Sequence, residues 1–202
     1  MNENAVNQRN EHDVALMLRV RHDDTCAFEE LYRRYIRRLL DFFYAMGRDV
    51  QQAEDLAHET FLRVWRQRTK YAATGTVPAY LFAFARFVWL ERCRKLRRNR
   101  LWGFAGPRER IEEEAVAPGQ SHPDAQAGCA ELESAILAAL EKLPIEQRMA
   151  FVLHEIQGFS NADIAAIMQC PINTVRSRRI LAVKKLRELL EGVRTSWNGR
   201  DL

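Results

Sequence analysis

Paired cysteines are missing from this chain. Cys26, Cys93, Cys129 and Cys170 are far apart and form no C-x-x-C pair, which argues against a disulfide framework or a cysteine zinc site and fits free thiols in a reducing cytoplasm. The five histidines, His12, His22, His58, His122 and His154, are scattered. None stands four residues from another, so no metal-ligating set is expected, and no cofactor or catalytic group is indicated. No run approaches 18 apolar residues and the first residues are polar, so a chain that is neither exported nor membrane-spanning is expected. Strand-like alternation and internal repeats are also lacking, and helix formers dominate. The expectation is an all-α protein.

With 202 residues, 47% hydrophobic and 29% charged, the chain is long enough for one domain or two small ones. Residues 1–102 carry nineteen basic against thirteen acidic side chains, residues 103–128 two against five, and residues 129–202 ten against nine. The middle segment also holds four of the nine glycines and three of the six prolines. That composition disfavours a helix and marks a flexible acidic linker. Two small helical domains follow, residues 1–102 and 129–202. As a coil the linker spans on the order of 25–30 Å, so the domains need not touch.

The C-terminal part reads as a helix near 130–142, a second helix ending at Gly158, and then a helix-turn-helix over 158–191. Ser160 and Asp163 form an acidic variant of the capping box, which starts a short helix. Pro171 cannot continue it. Asn173 is placed as the N-cap of a longer basic helix. On that helix Val175, Ala182, Leu186 and Leu190 share one stripe, while Ser177, Ile180, Leu181 and Lys184 lie opposite with Arg176 beside them. A second helix of this kind offers its N-terminal residues to base edges in the major groove. The candidates for duplex contact are Thr174, Arg176, Ser177, Arg178, Ile180, Leu181 and Lys184. An ordinary helical hairpin with a solvated basic face is the alternative.

In the N-terminal part, residues 1–12 are expected to fray, and helices are expected near 13–20, 27–46, 50–67 and 78–98. Phe28, Leu31, Tyr32, Tyr35, Ile36, Leu39 and Phe43 keep helical spacing in the second, and Gly47 is placed as its terminating glycine. The third is capped by Asp49 with Gln52 and carries Ala53, Leu56, Ala57, Thr60, Phe61, Val64 and Trp65 on one stripe. Its other side holds Glu54, Asp55, His58 and Glu59 early and Arg63, Arg66 and Arg68 late, an order that suits the helix dipole. Such a face is ordinarily just solvated, but Leu62 among the charges is the kind of residue that anchors a partner. A loop with Lys70 and Tyr71 follows. The fourth helix combines Arg86, Arg92, Arg94, Arg97 and Arg98 with Tyr80, Phe82, Phe87 and Trp89. Basic side chains neutralise phosphates and exposed rings stack on unpaired bases. Phe84 belongs to the core; Tyr71, Tyr80 and Phe87 suit core and base stacking equally.

Read in order, Ala27-Phe28-Glu29-Glu30-Leu31-Tyr32, Ala53-Glu54-Asp55-Leu56 with Glu59-Thr60-Phe61 and Val64-Trp65, Tyr80-Leu81, Ala85-Arg86, Leu143-Pro144, Arg148, Gly158-Phe159-Ser160, Ile164-Ala165, Thr174-Val175 and Ser177-Arg178 resemble a bacterial sigma factor of the extracytoplasmic-function class. The resemblance implies that the helix over 50–67 docks on the β′ clamp helices of core RNA polymerase through Asp55, Glu59 and Leu62. It implies that Lys70, Tyr71, Tyr80, Arg86, Phe87, Arg92, Arg94, Arg97 and Arg98 hold the melted minus-ten strand of promoter DNA. The second domain would read the minus-thirty-five element and lean on the β flap. An anti-sigma factor is the implied regulator. Several positions depart from the family pattern, among them Phe87 where Asn is common, Arg179 where Leu is common and Gln169 for the turn glycine. Two other functions compete: a free-standing helix-turn-helix regulator, which leaves the Asp55, Glu59 and Leu62 face unused, and a helical scaffold with no DNA role.

Overall fold

The computed structural model describes residues 3–101 and 123–197, with side chains over 10–99 and 132–191. Every regular element among these residues is helical. The first domain contains α1 (Glu3–Arg21), α2 (Thr25–Gly47), α3 (Val50–Arg66), a short 3₁₀ turn (Arg68–Lys70) and α4 (Val77–Leu101). The second contains α5 (Pro123–Glu141), α6 (Ile145–Phe151) with a π turn at its end (Val152–Ile156), α7 (Asn161–Met168) and α8 (Ile172–Trp197). No helix among the described residues is long and apolar enough to cross a membrane.

Local chemistry sets the helix starts. The Asp24 carboxylate accepts from the Ala27 amide at 3.0 Å, and that of Asp49 from the Gln52 amide at 2.8 Å. Each satisfies a donor that the first turn leaves orphaned. The expected stripes then become the core. Leu31, Tyr35, Leu39, Phe42 and Phe43 of α2 bury against Ala53, Leu56, Ala57, Phe61 and Val64 of α3, with Leu16, Met17 and Val20 of α1 and Leu81, Phe82, Ala85 and Val88 of α4 closing the cluster. Thr60 is tolerated inside because its hydroxyl donates to the Leu56 carbonyl at 2.7 Å. Asp13 is tolerated because Arg34 and the Tyr35 hydroxyl both donate to it.

Several boundaries differ from the sequence expectation. The first helix begins at Glu3, within the stretch expected to fray. At the end of α2 the left-handed residue is Arg48 (φ 56°), whose amide bonds the Tyr44 carbonyl at 2.7 Å, and not Gly47. What Gly47 provides is room: a Cβ there would lie 3.0 Å from Cη2 of Trp89, a tight contact that the indole would have to relieve. The long basic helix starts at Ile172, so Asn173 lies in its first turn and is not the N-cap; the amides of Thr174 and Val175 bond the Pro171 carbonyl. Residues 123–128, expected in the linker, belong to α5. The rest of that expected linker, apart from residues 123–128, lies outside the described residues.

The largest difference is between domains, which touch. Helix α4 lies against α7. Phe82 meets Phe159 edge to face at 4.9 Å, and the Arg38 guanidinium lies over both rings, 5.4 and 5.3 Å from their centroids. Arg38 also donates to the Gln157 carbonyl at 2.8 Å, and Arg148 donates to the Met46 carbonyl. A flexible connection permits separation without requiring it; buried rings and a guanidinium held over them favour contact.

At the turn of the helix-turn-helix, Gln169 takes the left-handed conformation (φ 51°, ψ 48°) that a glycine would adopt without strain. The Cys170 amide returns to the Ala165 carbonyl at 3.1 Å and the Gln169 amide to that of Ala166 at 3.3 Å, a Schellman closure made with a non-glycine residue. Gln169→Gly is expected to stabilise the second domain by about 1 kcal/mol, because the Cβ clash disappears. A urea melt with an unchanged or lower midpoint would show that the side chain compensates for the strain.

Candidate nucleic-acid interface

The helix-turn-helix is built on the Ser160 cap. Its hydroxyl accepts from the Asp163 amide at 3.1 Å and donates to the Asp163 carboxylate at 2.7 Å, so the pair closes on itself. Val175, Ala182 and Leu186 anchor α8 in the core, with Leu190 half-buried. This orientation leaves Arg176, Ser177, Ile180, Leu181 and Lys184 exposed on the opposite side, with Ile180 at 69% and Leu181 at 50%. Thr174 is half-buried. Ser177 donates to the Asn173 carbonyl at 2.9 Å, which leaves its oxygen outward as an acceptor.

The two adjacent arginines behave differently from Arg176. Arg178 pairs with Glu146 at 3.2 Å and lies 3.4 Å from the Cys170 sulfur, so reaching a base requires breaking an ion pair. Arg179 falls on the packing side and turns outward to Glu155 at 3.1 Å and the Asn161 side-chain oxygen at 2.9 Å. The hydrogen bond from Arg179, opposed by desolvation and joined by one from His154, holds the Glu155 carboxyl below its ordinary range.

The first domain offers two further faces. On α3, Asp55 and Leu62 are exposed, Leu62 at 49%. Glu59 is half-buried and bound to Nε of Arg63 at 2.5 Å. On α4, Arg94, Arg97 and Arg98 are exposed, as is Lys70 before it. Arg86 and Arg92 are half-buried, and the Nε of each is enclosed without a partner. Arg92 shares a shallow cleft of about 300 Å³ with Asp49, Gln51, Gln52, Asp55 and Leu56, which places it toward α3.

The aromatic candidates separate clearly. Tyr71 is 3% exposed, edge to face with Tyr80 at 5.0 Å, and Tyr80 is half-buried and meets Phe84 at 5.1 Å. Burial raises both phenols above their ordinary range, with the neighbouring Tyr80 adding to the shift on Tyr71. Tyr71 is therefore turned away from any strand in this conformation, contrary to the expectation that it could stack. Phe87 is the ring presented to solvent, at 51%, and the Arg63 guanidinium lies 5.1 Å from its centroid. Sequence reasoning assigned Arg63 only to a dipole-compatible charge series. The signal that could have found it is Glu59 four residues earlier, which fixes the guanidinium's direction.

The family model for Sigma-70 region 2 matches residues 31–99, and that for Sigma-70, region 4, matches residues 133–186. The chain is 33% identical to the ECF RNA polymerase sigma factor EcfG of Rhodopseudomonas palustris, over 74% of this chain and 77% of that protein. This chain belongs to the extracytoplasmic-function class of RNA polymerase sigma factors. It is also 33% identical to the sigma factor SigE of Mycolicibacterium smegmatis over 81% of its own length, and there it spans 62% of the relative. The sigma factor RpoE of Bartonella quintana, solved with the anti-sigma factor NepR, superposes with a TM-score of 0.64 at 28% identity. That match covers 81% of this chain and 96% of RpoE. As a sigma factor, the chain serves promoter-directed transcription initiation with RNA polymerase. Its helix-turn-helix lies in region 4, and α2 to α4 fall in region 2.

Proposed function

We propose that this sigma factor grips a promoter at two points while docked on polymerase through a third face. Asp55, Glu59 and Leu62 of α3 contact the β′ clamp helices. Phe87 and the arginines of α4 hold the melted non-template strand, with Lys70 at the preceding turn. The outer side of α8 reads the minus-thirty-five duplex, where Arg176 and Ser177 meet base edges and Ile180 and Leu181 meet thymine methyl groups. The observation that carries this reading is the separate exposure of Leu62 on α3 and Phe87 on α4, two large apolar side chains open to solvent on adjacent helices. Each lies among charges of the kind its partner requires.

The factor makes and breaks no covalent bond. Its binding energy favours the melted promoter over the closed one, a population shift. It works in the cytoplasm, where polymerase and DNA are. The three segments are a polymerase and minus-ten domain at 1–102, a linker at 103–128 that follows the polymerase channel, and a minus-thirty-five domain at 129–202 that leans on the β flap. The RpoE structure with NepR supports an anti-sigma factor as regulator here.

In vitro transcription with core polymerase tests this. Core plus the factor is expected to yield RNA from discrete starts. Leu62→Asp is expected to weaken core affinity by roughly 30-fold, the scale of a buried interface anchor, while duplex binding by α8 persists. Footprinting by the protein alone, with no promoter-specific RNA from the mixture, would favour a free-standing regulator.

A further inference from the structure

One face of the Phe87 ring is already occupied. The Arg63 guanidinium above it is held by the Glu59 carboxylate at 2.5 Å and by that of Glu91 at 2.7 Å, and Lys95 lies 3.5 Å from the other Glu91 oxygen. Arg63 thus bridges α3 to α4, and two anchors fix the plane of its side chain. Tyr71 and Tyr80 cannot provide a similar surface, since they pack on each other and on Phe84. Phe87 is left with a cation behind it and solvent in front, a platform that a flat group can approach from one direction.

We propose that Arg63 is a positioning residue that holds Phe87 as a stacking platform for one unpaired base of the non-template strand. That position is then read by stacking, purine over pyrimidine, without hydrogen bonds to the base edge. The inference rests on the assignment of α4 as the strand-binding helix. The physical argument is that every base has a π face and the larger ring system of a purine covers more of the phenyl ring. A phenyl group has no donor or acceptor with which to discriminate further. Glu59, on the polymerase-facing helix, holds the same guanidinium, so docking and base capture share one ion-paired residue.

The test uses the full chain with core polymerase on a promoter whose start has been mapped, with one abasic site at a time along the minus-ten non-template strand. The wild-type factor is expected to lose roughly tenfold in open-complex affinity at one particular position, within the range for loss of one base–aromatic stack. A pyrimidine there is expected to cost less than the abasic site. Phe87→Leu, which keeps apolar bulk without a π face, should abolish the dependence at that position and leave the others as in wild type. Phe87→Tyr should keep it. Arg63→Gln and Glu91→Gln should each reduce it by a few fold. An abasic profile identical in wild type and Phe87→Leu overturns the platform. A profile unchanged by both Arg63→Gln and Glu91→Gln overturns the positioning role. If the wild-type holoenzyme opens no promoter, the assignment of α4 fails and the platform falls with it.

Discussion

Asp13→Ala is expected to lower the folding free energy by about 3 kcal/mol or more, the cost of removing one partner from a buried charged pair. Asp13 is 1% exposed and accepts from Arg34 and from the Tyr35 hydroxyl. Truncation strands that hydroxyl in the interior between α1 and α2, while Arg34 retains only Glu30 at 2.6 Å. Asp13→Asn keeps an acceptor and should lose less. The same site predicts an alkaline response. Burial, reinforced by the Asp13 carboxylate, holds the Tyr35 phenol well above its ordinary value. A folded-state pKa raised in this way contributes stability that is fully present below the unfolded value near 10. That contribution declines as pH rises above it. Tyr35→Phe should remove this alkaline decline. Denaturant melts at neutral pH and above pH 10 test both statements; an Asp13→Ala midpoint within error of wild type would refute the first.

Phe159→Ala is expected to separate the two domains. The minus-ten and minus-thirty-five elements lie about 25 base pairs apart, roughly 85 Å at 3.4 Å per pair. Domains joined by a 4.9 Å ring contact cannot occupy both, so the packed form must open for a two-point grip. Phe159 supplies one ring of that contact and one of the three rings, with Phe82 and Tyr35, that the Arg38 guanidinium lies over. Its removal should cost the closed form about 3 kcal/mol and shift the closed-to-open ratio roughly 100-fold. Arg38→Ala acts from the other domain and should have the same direction of effect. Small-angle scattering of the free protein should show a larger radius of gyration for both variants, with the second domain still folded by circular dichroism. A scattering profile unchanged in both would mean that the aromatic contact does not hold the domains together.

Much of the helical framework was legible because its determinants are local. The caps at Asp49 and Ser160 act over three residues, and the stripe of Val175, Ala182 and Leu186 follows from helical periodicity alone. The outward turn of Arg179 was foreseeable for the same reason: a guanidinium on a packing stripe must find a carboxylate or solvent, and Glu155 meets it. Where local rules competed, they misplaced residues. Gly47 looked like a helix terminator because glycine tolerates positive φ. Its actual role is to leave room for Trp89, forty-two residues away, and Arg48 takes the left-handed position at some strain.

The candidate faces divide in the same way. That α3 carries Asp55 and Leu62 outward, and α8 carries Arg176, Ile180 and Leu181 outward, follows from which residues share a stripe with the core. The fate of Tyr71, Tyr80 and Phe87 did not follow, since all three are aromatic and interleaved with basic residues. Packing of the loop against α4 buried Tyr71 and left Phe87 open.

The sequence by itself determined an all-α chain of helices, the caps at Asp49 and Ser160, the helix-turn-helix and its outward residues, and the family, because these depend on neighbours within a turn or two and on motif order. Only the tertiary structure decided that Phe82 meets Phe159 across the domains, that Arg63 bridges Glu59 and Glu91 behind Phe87, and that Asp13 is neutralised inside the first domain. Apart from the Glu59–Arg63 pair, four positions apart, those contacts join residues from 21 to 77 positions apart. Their energy comes from desolvation and geometry that no local pattern encodes.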